Sequence, residues 1–537
     1  MAYTFADLFE HSVDAMPDRL ALIASGEEVS YRELDERANR LAHHLETAGF
    51  GVGSHIGIHM HNSIETMVAV LAAFKIRAVP LTVNYRYTTD ELVYLYENAD
   101  LDALVFHRGF AERVAEALPQ VPRIRHLVEV PDELVTRDEP ETPAAVRYLD
   151  ALAGASPERG FGERSGDDVY ILYTGGTTGR PKGVVWRQED MWRVLAGGLD
   201  FFTGEPIADE YQQSRTGAAG EPMRMLILPP LIHTSALMPT FTALLAGNAV
   251  IYDPKFDAVR TWELVARHRP TAMVITGDAM GRPLVEAYRN TQADTSSLAV
   301  VASGAALFSA AVKDAFFEAI PNLMISDSVG SSETGFGGIG FATKGFEQQG
   351  GPKVGAHRHT VVVDDDNNKL GPGGEGWLAK LGYVPLGYYN DPVKSAEIFR
   401  EIEGGRAVVT GDRARIEDDG SVTLLGRGNM VINTGGEKVF AEEVEAVVKA
   451  HPDVYDAIVI GVADERWGNR VAVVMRARDG LPDFESIEKH SRSQLAGYKI
   501  PRSFWIVPEV ERTPSGKPEY RWAKEYATGH APDHRID

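Results

Sequence analysis

Short apolar runs alternate with amphipathic stretches along the first four-fifths of the chain, the pattern of layered α/β architecture. Ser30 and Glu33 have capping-box spacing, and Leu34, Ala38, Leu41 and Leu45 follow at helical intervals, which predicts a helix after Ser30. HIGIHMH (55–61) predicts a strand, and Ser63–Phe74 a buried helix following it. Further apolar runs at 103–106, 169–173, 225–228, 272–276 and 298–303 predict more strands. From about Gly351 the pattern changes to Gly- and Asp-rich hairpins, over 361–381 and then 421–427. Helix–strand alternation resumes at 440–462, 471–477 and 503–507, enough for a separate small α+β domain. Only the last few residues read as disordered. The boundary falls near Gly426–Met430, which divides the chain into 1–427 and 428–537.

Composition narrows the function classes. Across 537 residues, 54 Lys and Arg face 77 Asp and Glu, a net charge of −23 that argues against a nucleic-acid partner. The chain has no cysteine, which excludes disulfides, thiolate metal sites, iron–sulfur clusters and a Cys nucleophile. Asp7 and Glu10 near the start, with no basic run, argue against a signal peptide. Met225–Tyr252 carries no charged residue and is long enough to span a bilayer. It is broken by Pro229, Pro230, His233, Pro239, Gly247 and Asn248, so it reads as strand, loop, helix, strand in a soluble core. A cytoplasmic enzyme is the expectation.

The strongest local motif is VYILYTGGTTGRPKG, residues 169–183. A strand runs into a loop whose glycines let successive N–H groups face an anion. Its hydroxyls add donors and Lys182 a point charge, which together suit a phosphate. The Gly-Lys-Ser/Thr ending of a Walker A loop is missing. Two other patterns are set aside. Gly335, Gly337 and Gly340 fit GxGxxG, but no helix is predicted after them, so the segment reads as a flexible continuation of what precedes it. Asp364–Asn368 lacks the glycine and final Glu of an EF-hand and reads as a hairpin turn.

TGGTTGRPKG resembles the signature of the adenylate-forming superfamily: acyl-CoA synthetases, beetle luciferases and peptide-synthetase adenylation domains. The superfamily's other motifs have counterparts here in the same order. These are PPLIHTS (229–235), SGAAL (303–307), DSVGSSETG (327–335), TGDR (410–413), GRGNMVINTGGEKVFAEEVE (426–445) and RTPSGK (512–517). The resemblance implies a large N-terminal α/β region of several subdomains and a small mobile C-terminal α+β domain. It also implies ATP, Mg2+ and CoA as cofactor and co-substrates.

Residue by residue, the resemblance assigns the triphosphate to Thr174, Gly175, Gly176, Thr177, Thr178, Gly179 and Lys182. The adenine segments become Gly304, Ala305, Ala306, Asp327, Ser328 and Ser332, and magnesium goes to Glu333 with Thr174. Asp412 is implied for the ribose hydroxyls and Arg427 for the ribose or phosphates. Lys517 is implied to bridge the attacking carboxylate and the α-phosphate, and His233 to shape the path between acid and nucleotide. Gly435 and Gly436 are implied to let the pantetheine arm pass, and Asn429 stands where the hinge usually has Asp or Lys. Val329 replaces a frequent adenine-stacking aromatic.

An acyl adenylate needs a thiol acceptor, and a chain without cysteine must take it from outside, from CoA or a carrier protein. The motif after His233 has no Asp to hold an ammonium group, which disfavours amino acids, and Ala236, Leu237 and Met238 suggest an apolar acid pocket. Over its whole length the chain resembles bacterial synthetases acting on fatty or steroid side-chain carboxylates. The expected partners are therefore a bulky hydrophobic acid, ATP and CoA, with peripheral membrane contact and homo-oligomerisation left open. The alternatives are transfer to a carrier protein, a medium-chain or aryl-acid CoA ligase, and a non-catalytic binder.

Overall fold

The computed structural model describes residues 3–135, 142, 144–174, 181–199, 205–291, 293–306, 308–345, 353–356, 359–427, 431–434, 437–464, 468–513 and 516–536. Capping fixes where the early helices begin. Ser30 Oγ accepts the Glu33 N–H at 3.2 Å, and the Ser30 N–H donates to Glu33 Oε2 at 2.8 Å, so the predicted box starts the helix Tyr31–Thr47. Leu34, Ala38, Leu41 and Leu45 are all fully buried on its inner face. The helix Ile64–Lys75 is buried all round and ends in an equally buried cation. Lys75 Nζ is held by Glu10 at 2.5 Å and Asp35 at 2.7 Å, which is what permits its burial.

Two parallel sheets carry most of the large region. In one, Leu20–Ala24, Ala249–Tyr252, Arg224–Ile227, Ala272–Ile275, Val300–Ser303 and Met324–Ser331 run side by side in parallel. In the other, Val79–Thr82, His55–His59, Ala103–His107, His126–Val130 and Val146–Arg147 do the same. Open parallel sheets bind ligands beyond their strand C-termini. The segments that follow Ile227, Ile275 and Ser303 are PPLIHTS, the start of the helix Gly277–Thr291, and Gly304–Ala306.

The glycine-rich segment after Glu333 departs from the sequence expectation. Gly335–Ala342 is a strand antiparallel to Met324–Ser331. Ser331 and Thr334 close the turn through mutual N–H to Oγ bonds at 2.9 and 3.1 Å. Gly335 then turns the chain back with φ +64°, where an added Cβ would sit 2.8 Å from Val194 Cγ2. Asp364–Asn368 is a hairpin turn as expected, with the Asp364 N–H donating to Asn368 O at 3.0 Å.

Beyond residue 430 the strands Val454–Asp464, Gly468–Ala477, Ser503–Ile506 and His534–Arg535 form their own sheet. One hydrophobic cluster, from Ile432 to Ala527, lies under it. The pairing of His534–Arg535 with Ser503–Phe504 replaces the disorder expected near the end of the chain. Among the described residues, no helix is long and apolar enough to cross a membrane.

Candidate active site

The strands Val169–Thr174 and Lys182–Arg187 pair antiparallel, with Thr174 opposite Lys182. The phosphate-loop candidates Gly175, Gly176, Thr177, Thr178 and Gly179 lie outside the described residues, but both anchors of their loop are fixed. Gly387–Tyr388 adds a third strand beside Lys182–Arg187. That edge brings Tyr388 beside Lys182: Lys182 Nζ lies 5.0 Å from its ring centroid, and its hydroxyl donates to Glu333 Oε1 at 3.1 Å. Lys182, Tyr388 and Glu333 thus form one constellation with Thr174 across the hairpin. Tyr388 was not predicted; its only sequence signal is a tyrosine pair after a glycine, which no local pattern marks as functional.

The Glu333 turn is anchored to the hairpin and to the helix Thr234–Leu245. Trp186 Nε1 donates to Ser332 O at 2.9 Å, and Thr234 Oγ1 and Ser332 Oγ are 3.2 Å apart. Ser303 and Asp327 are register partners in adjacent parallel strands. Ser328 Oγ donates to Ser303 O at 3.0 Å, and a Cβ on Gly304 would sit 2.7 Å from that Oγ. Ala305 adopts φ +66°, a left-handed conformation uncommon outside glycine. Asp327 accepts from Lys313 Nζ at 2.5 Å; burial raises its pKa and the Lys313 charge opposes that rise. Asp412 faces Arg427 in the antiparallel pair Gly405–Ile416 and Val422–Arg427. The side chain of Arg427, together with Asn429, Gly435 and Gly436, lies outside the described residues.

His233 caps the helix Thr234–Leu245 with its carbonyl, which accepts the Ala236 and Leu237 N–H groups at 3.0 and 3.1 Å. Its ring borders a cavity of about 10 Å³, room for a single water, with Thr82, Asn84 and Tyr173. Burial pushes its pKa down to about 3, and the positive charges of Lys517 and Arg86 push in the same direction. The imidazole is therefore neutral at physiological pH and can orient or exclude, but cannot serve as a cationic acid. Ala236, Leu237 and Met238 are packed into the large core. Thr234 and Ser235 keep partial exposure.

Lys517 sits in a tight turn. Its N–H donates to Thr513 Oγ1 at 3.1 Å, its carbonyl accepts the Thr513 N–H at 2.9 Å, and Gly516 supplies φ +74°. A Cβ at Gly516 would lie 3.0 Å from Ala279 Cβ and 3.1 Å from Thr276 Cγ2, so this turn is seated at the strand end Ile275. The Lys517 turn and His233 thus lie beyond the C-terminal ends of Ala272–Ile275 and Arg224–Ile227, Glu333 follows Met324–Ser331, and Lys182 joins Glu333 through Tyr388. A cleft of about 500 Å³ between the first two long helices and Pro157–Arg159 is lined by Asp14, Arg32, Asp35 and Glu36 and contains no motif residue. Chemistry, and not volume, locates the site.

The single carboxylate Glu333 with the hydroxyl of Thr174 suits a magnesium ion that arrives on phosphates and keeps most of its waters. Among the described residues, no group of three or more His, Asp or Glu side chains could cage a metal alone.

The chain is similar to known proteins over nearly its whole length. Residues 9–389 match the family described as AMP-binding enzyme, and residues 443–517 match the AMP-binding enzyme C-terminal domain. A medium/long-chain-fatty-acid–CoA/3-oxocholest-4-en-26-oate–CoA ligase of Mycolicibacterium smegmatis is 48% identical over 98% of this chain and 96% of that protein. A 3-oxocholest-4-en-26-oate–CoA ligase of Rhodococcus rhodochrous is 47% identical over 100% and 98%. Among solved structures, ATP-bound MatB from Rhodopseudomonas palustris superposes with TM-score 0.79 at 26% identity, covering 97% of this chain and 98% of that one. The anthranilate CoA ligase AuaEII with anthranoyl-AMP superposes with TM-score 0.85 at 20% identity over 99% of both, a likeness of fold.

Proposed function

Since the chain belongs to the AMP-binding enzyme family, we propose that it is an ATP-dependent acid–CoA ligase. Its preferred acid is a bulky hydrophobic carboxylate, a medium- or long-chain fatty acid or a steroid side-chain acid. The observation that carries the substrate class is the near-full-length identity of 48% and 47% to ligases named for those acids.

The chemistry divides into two displacements. A carboxylate oxygen attacks the α-phosphorus of ATP, the bond to the bridging oxygen breaks, and pyrophosphate leaves. One anion approaches another, so preset cations must offset the repulsion. Lys517, whose charge reaches the neutral His233, would hold the carboxylate and α-phosphate together. Lys182, steadied over Tyr388, and the loop from Thr174 would hold the departing phosphates. Magnesium, bound by Glu333 with Thr174, would supply charge neutralisation on the triphosphate. Asp412 would accept the ribose hydroxyls, with Arg427 beside it, and Gly304–Ala306, Asp327, Ser328 and Ser332 would frame the base.

In the second displacement the thiol sulfur attacks the acyl carbon and AMP leaves. The chain has no cysteine, so the thiol comes from outside it, and the likeness to relatives named as CoA ligases favours CoA over a carrier protein. The region from 428 onward would rotate about Asn429, withdrawing Lys517 and presenting Gly435–Gly436 to the pantetheine arm.

The test is Lys517→Ala, assayed on each half-reaction. Adenylation should fall by about 10²–10³-fold, the scale for losing one preorganised charge-stabilising group. Thioester formation from supplied acyl adenylate should persist. Equal damage to both steps in a folded variant would overturn the role of Lys517.

A further inference from the structure

A chain of buried charges crosses from the large region to the turn that carries Lys517. Asp278, in the first turn of the helix Gly277–Thr291, is 4% exposed. Its Oδ1 accepts the Ser309 N–H at 2.8 Å, and its Oδ2 faces Arg282 Nη2 at 3.3 Å and Lys449 Nζ at 3.7 Å. Lys449 ends the helix Ala441–Lys449 beyond the boundary and is 2% exposed. It also faces Asp456 Oδ1 at 3.8 Å, while its backbone carbonyl accepts from Arg282 Nη2 at 3.2 Å. Asp456 takes a two-pronged contact from Arg512 at 2.6 and 2.5 Å. Arg512 Nη1 in turn donates to Gly516 O at 2.9 Å, the carbonyl next to Lys517.

We infer that Asp278 and Lys449 form a latch that seats the C-terminal region with Lys517 in the site, making both of them positioning residues for adenylation alone. The inference rests on the two-step reading above. Each half of the latch keeps a counter-charge when it opens: Asp278 retains Arg282, and Lys449 retains Asp456. Opening therefore leaves no isolated buried ion on either side, and the cost that makes most broken buried pairs prohibitive is avoided. Among the described residues, the crossing polar contacts that open are Lys449 to Asp278, Arg282 to the Lys449 carbonyl, and an exposed pair of Arg478 with Glu286 at 3.4 Å, together with the seat of Gly516 against Thr276 and Ala279. A contact of this kind suits a joint that closes and opens once in each turnover.

Three variants test this against acid-dependent ATP–pyrophosphate exchange and against thioester formation from supplied acyl adenylate. Asp278→Asn keeps the acceptor for the Ser309 N–H and removes the charge; Lys449→Met removes its partner. Each should slow exchange by about tenfold or more, with the KM for ATP little changed, and the double variant should be no slower than the slower single one. Thioester formation should stay within about twofold of the parent or rise. Glu286→Arg, at the exposed pair, should move both readouts in the same directions by a smaller factor, and it does not disturb buried packing. Parental exchange in folded Asp278→Asn, or equal loss in both half-reactions for Glu286→Arg, would overturn the latch. Absence of exchange in the parent enzyme would instead overturn the two-step reading beneath it.

Discussion

Tyr388 donates its hydroxyl to Glu333 Oε1 at 3.1 Å while its ring carries the Lys182 ammonium 5.0 Å from the centroid. One side chain thus orients both the implied magnesium ligand and the implied phosphate cation. Tyr388→Phe keeps the ring and deletes the bond to the carboxylate. A hydrogen bond to a charged group is worth about 1.5–3 kcal/mol, so the KM for magnesium–ATP should rise by roughly tenfold, with a smaller change in kcat. Tyr388→Ala should do more, since Lys182 loses its platform as well. Parental kinetics in Tyr388→Phe, measured by initial rates over ATP concentration, would show that this tyrosine is only structural.

Gly304 leaves room for Ser328, whose Oγ is 2.7 Å from where a Cβ would stand. Gly304→Ala must displace that hydroxyl from Ser303 O and narrow the crevice beyond the strand end. The expected result is a KM for ATP raised by about three- to tenfold. Adding Ser328→Ala should recover most of the loss by restoring the space. A double variant no better than Gly304→Ala would mean that the crowding involves another group.

Buried histidines contribute to the loss of stability in acid. Burial holds His59 at about 3 and His107 at about 4, and His233 is pushed to about 3 by burial with Lys517 and Arg86 adding to it. Unfolded histidines take protons near 6.5. The unfolded chain therefore gains protons as pH falls below that value while the folded chain does not, so this stability is full above pH 6.5 and is lost as pH falls toward 4. Each such group costs about 2 kcal/mol by pH 5. The melting temperature should fall steadily between pH 7 and 5, and His59→Gln should make that slope shallower. A slope unchanged in His59→Gln would assign the acid limit to other groups.

Much of this architecture is legible from local pattern because strands of a buried parallel sheet read as short apolar runs. VYILY, AMVIT and LAVVAS each lie on a strand, as does the Ser30 capping box on its helix. Gly335–Ala342 does not read as a strand because glycines weaken any strand signal, and its pairing with Met324–Ser331 is fixed by the Ser331–Gly335 turn. Ala236–Met238 shows a second limit: an apolar run looks the same whether it lines a pocket or fills a core. Tyr388 and Asp278 could not be found locally at all. Each acquires its partners from segments far away in sequence, Tyr388 from Lys182 and Glu333 and Asp278 from Lys449.

Joining a bulky hydrophobic acid to CoA through an acyl adenylate is the activity proposed for this chain. Its most direct test is mass-spectrometric product analysis with ATP, magnesium, CoA and a pool of acids from acetate through palmitate to a steroid side-chain acid. The expected products are AMP and the thioester of a long-chain or steroid acid, in excess of any acetyl-CoA. Release of ADP in place of AMP, acyl adenylate with no CoA thioester, or a preference for acetate would contradict it.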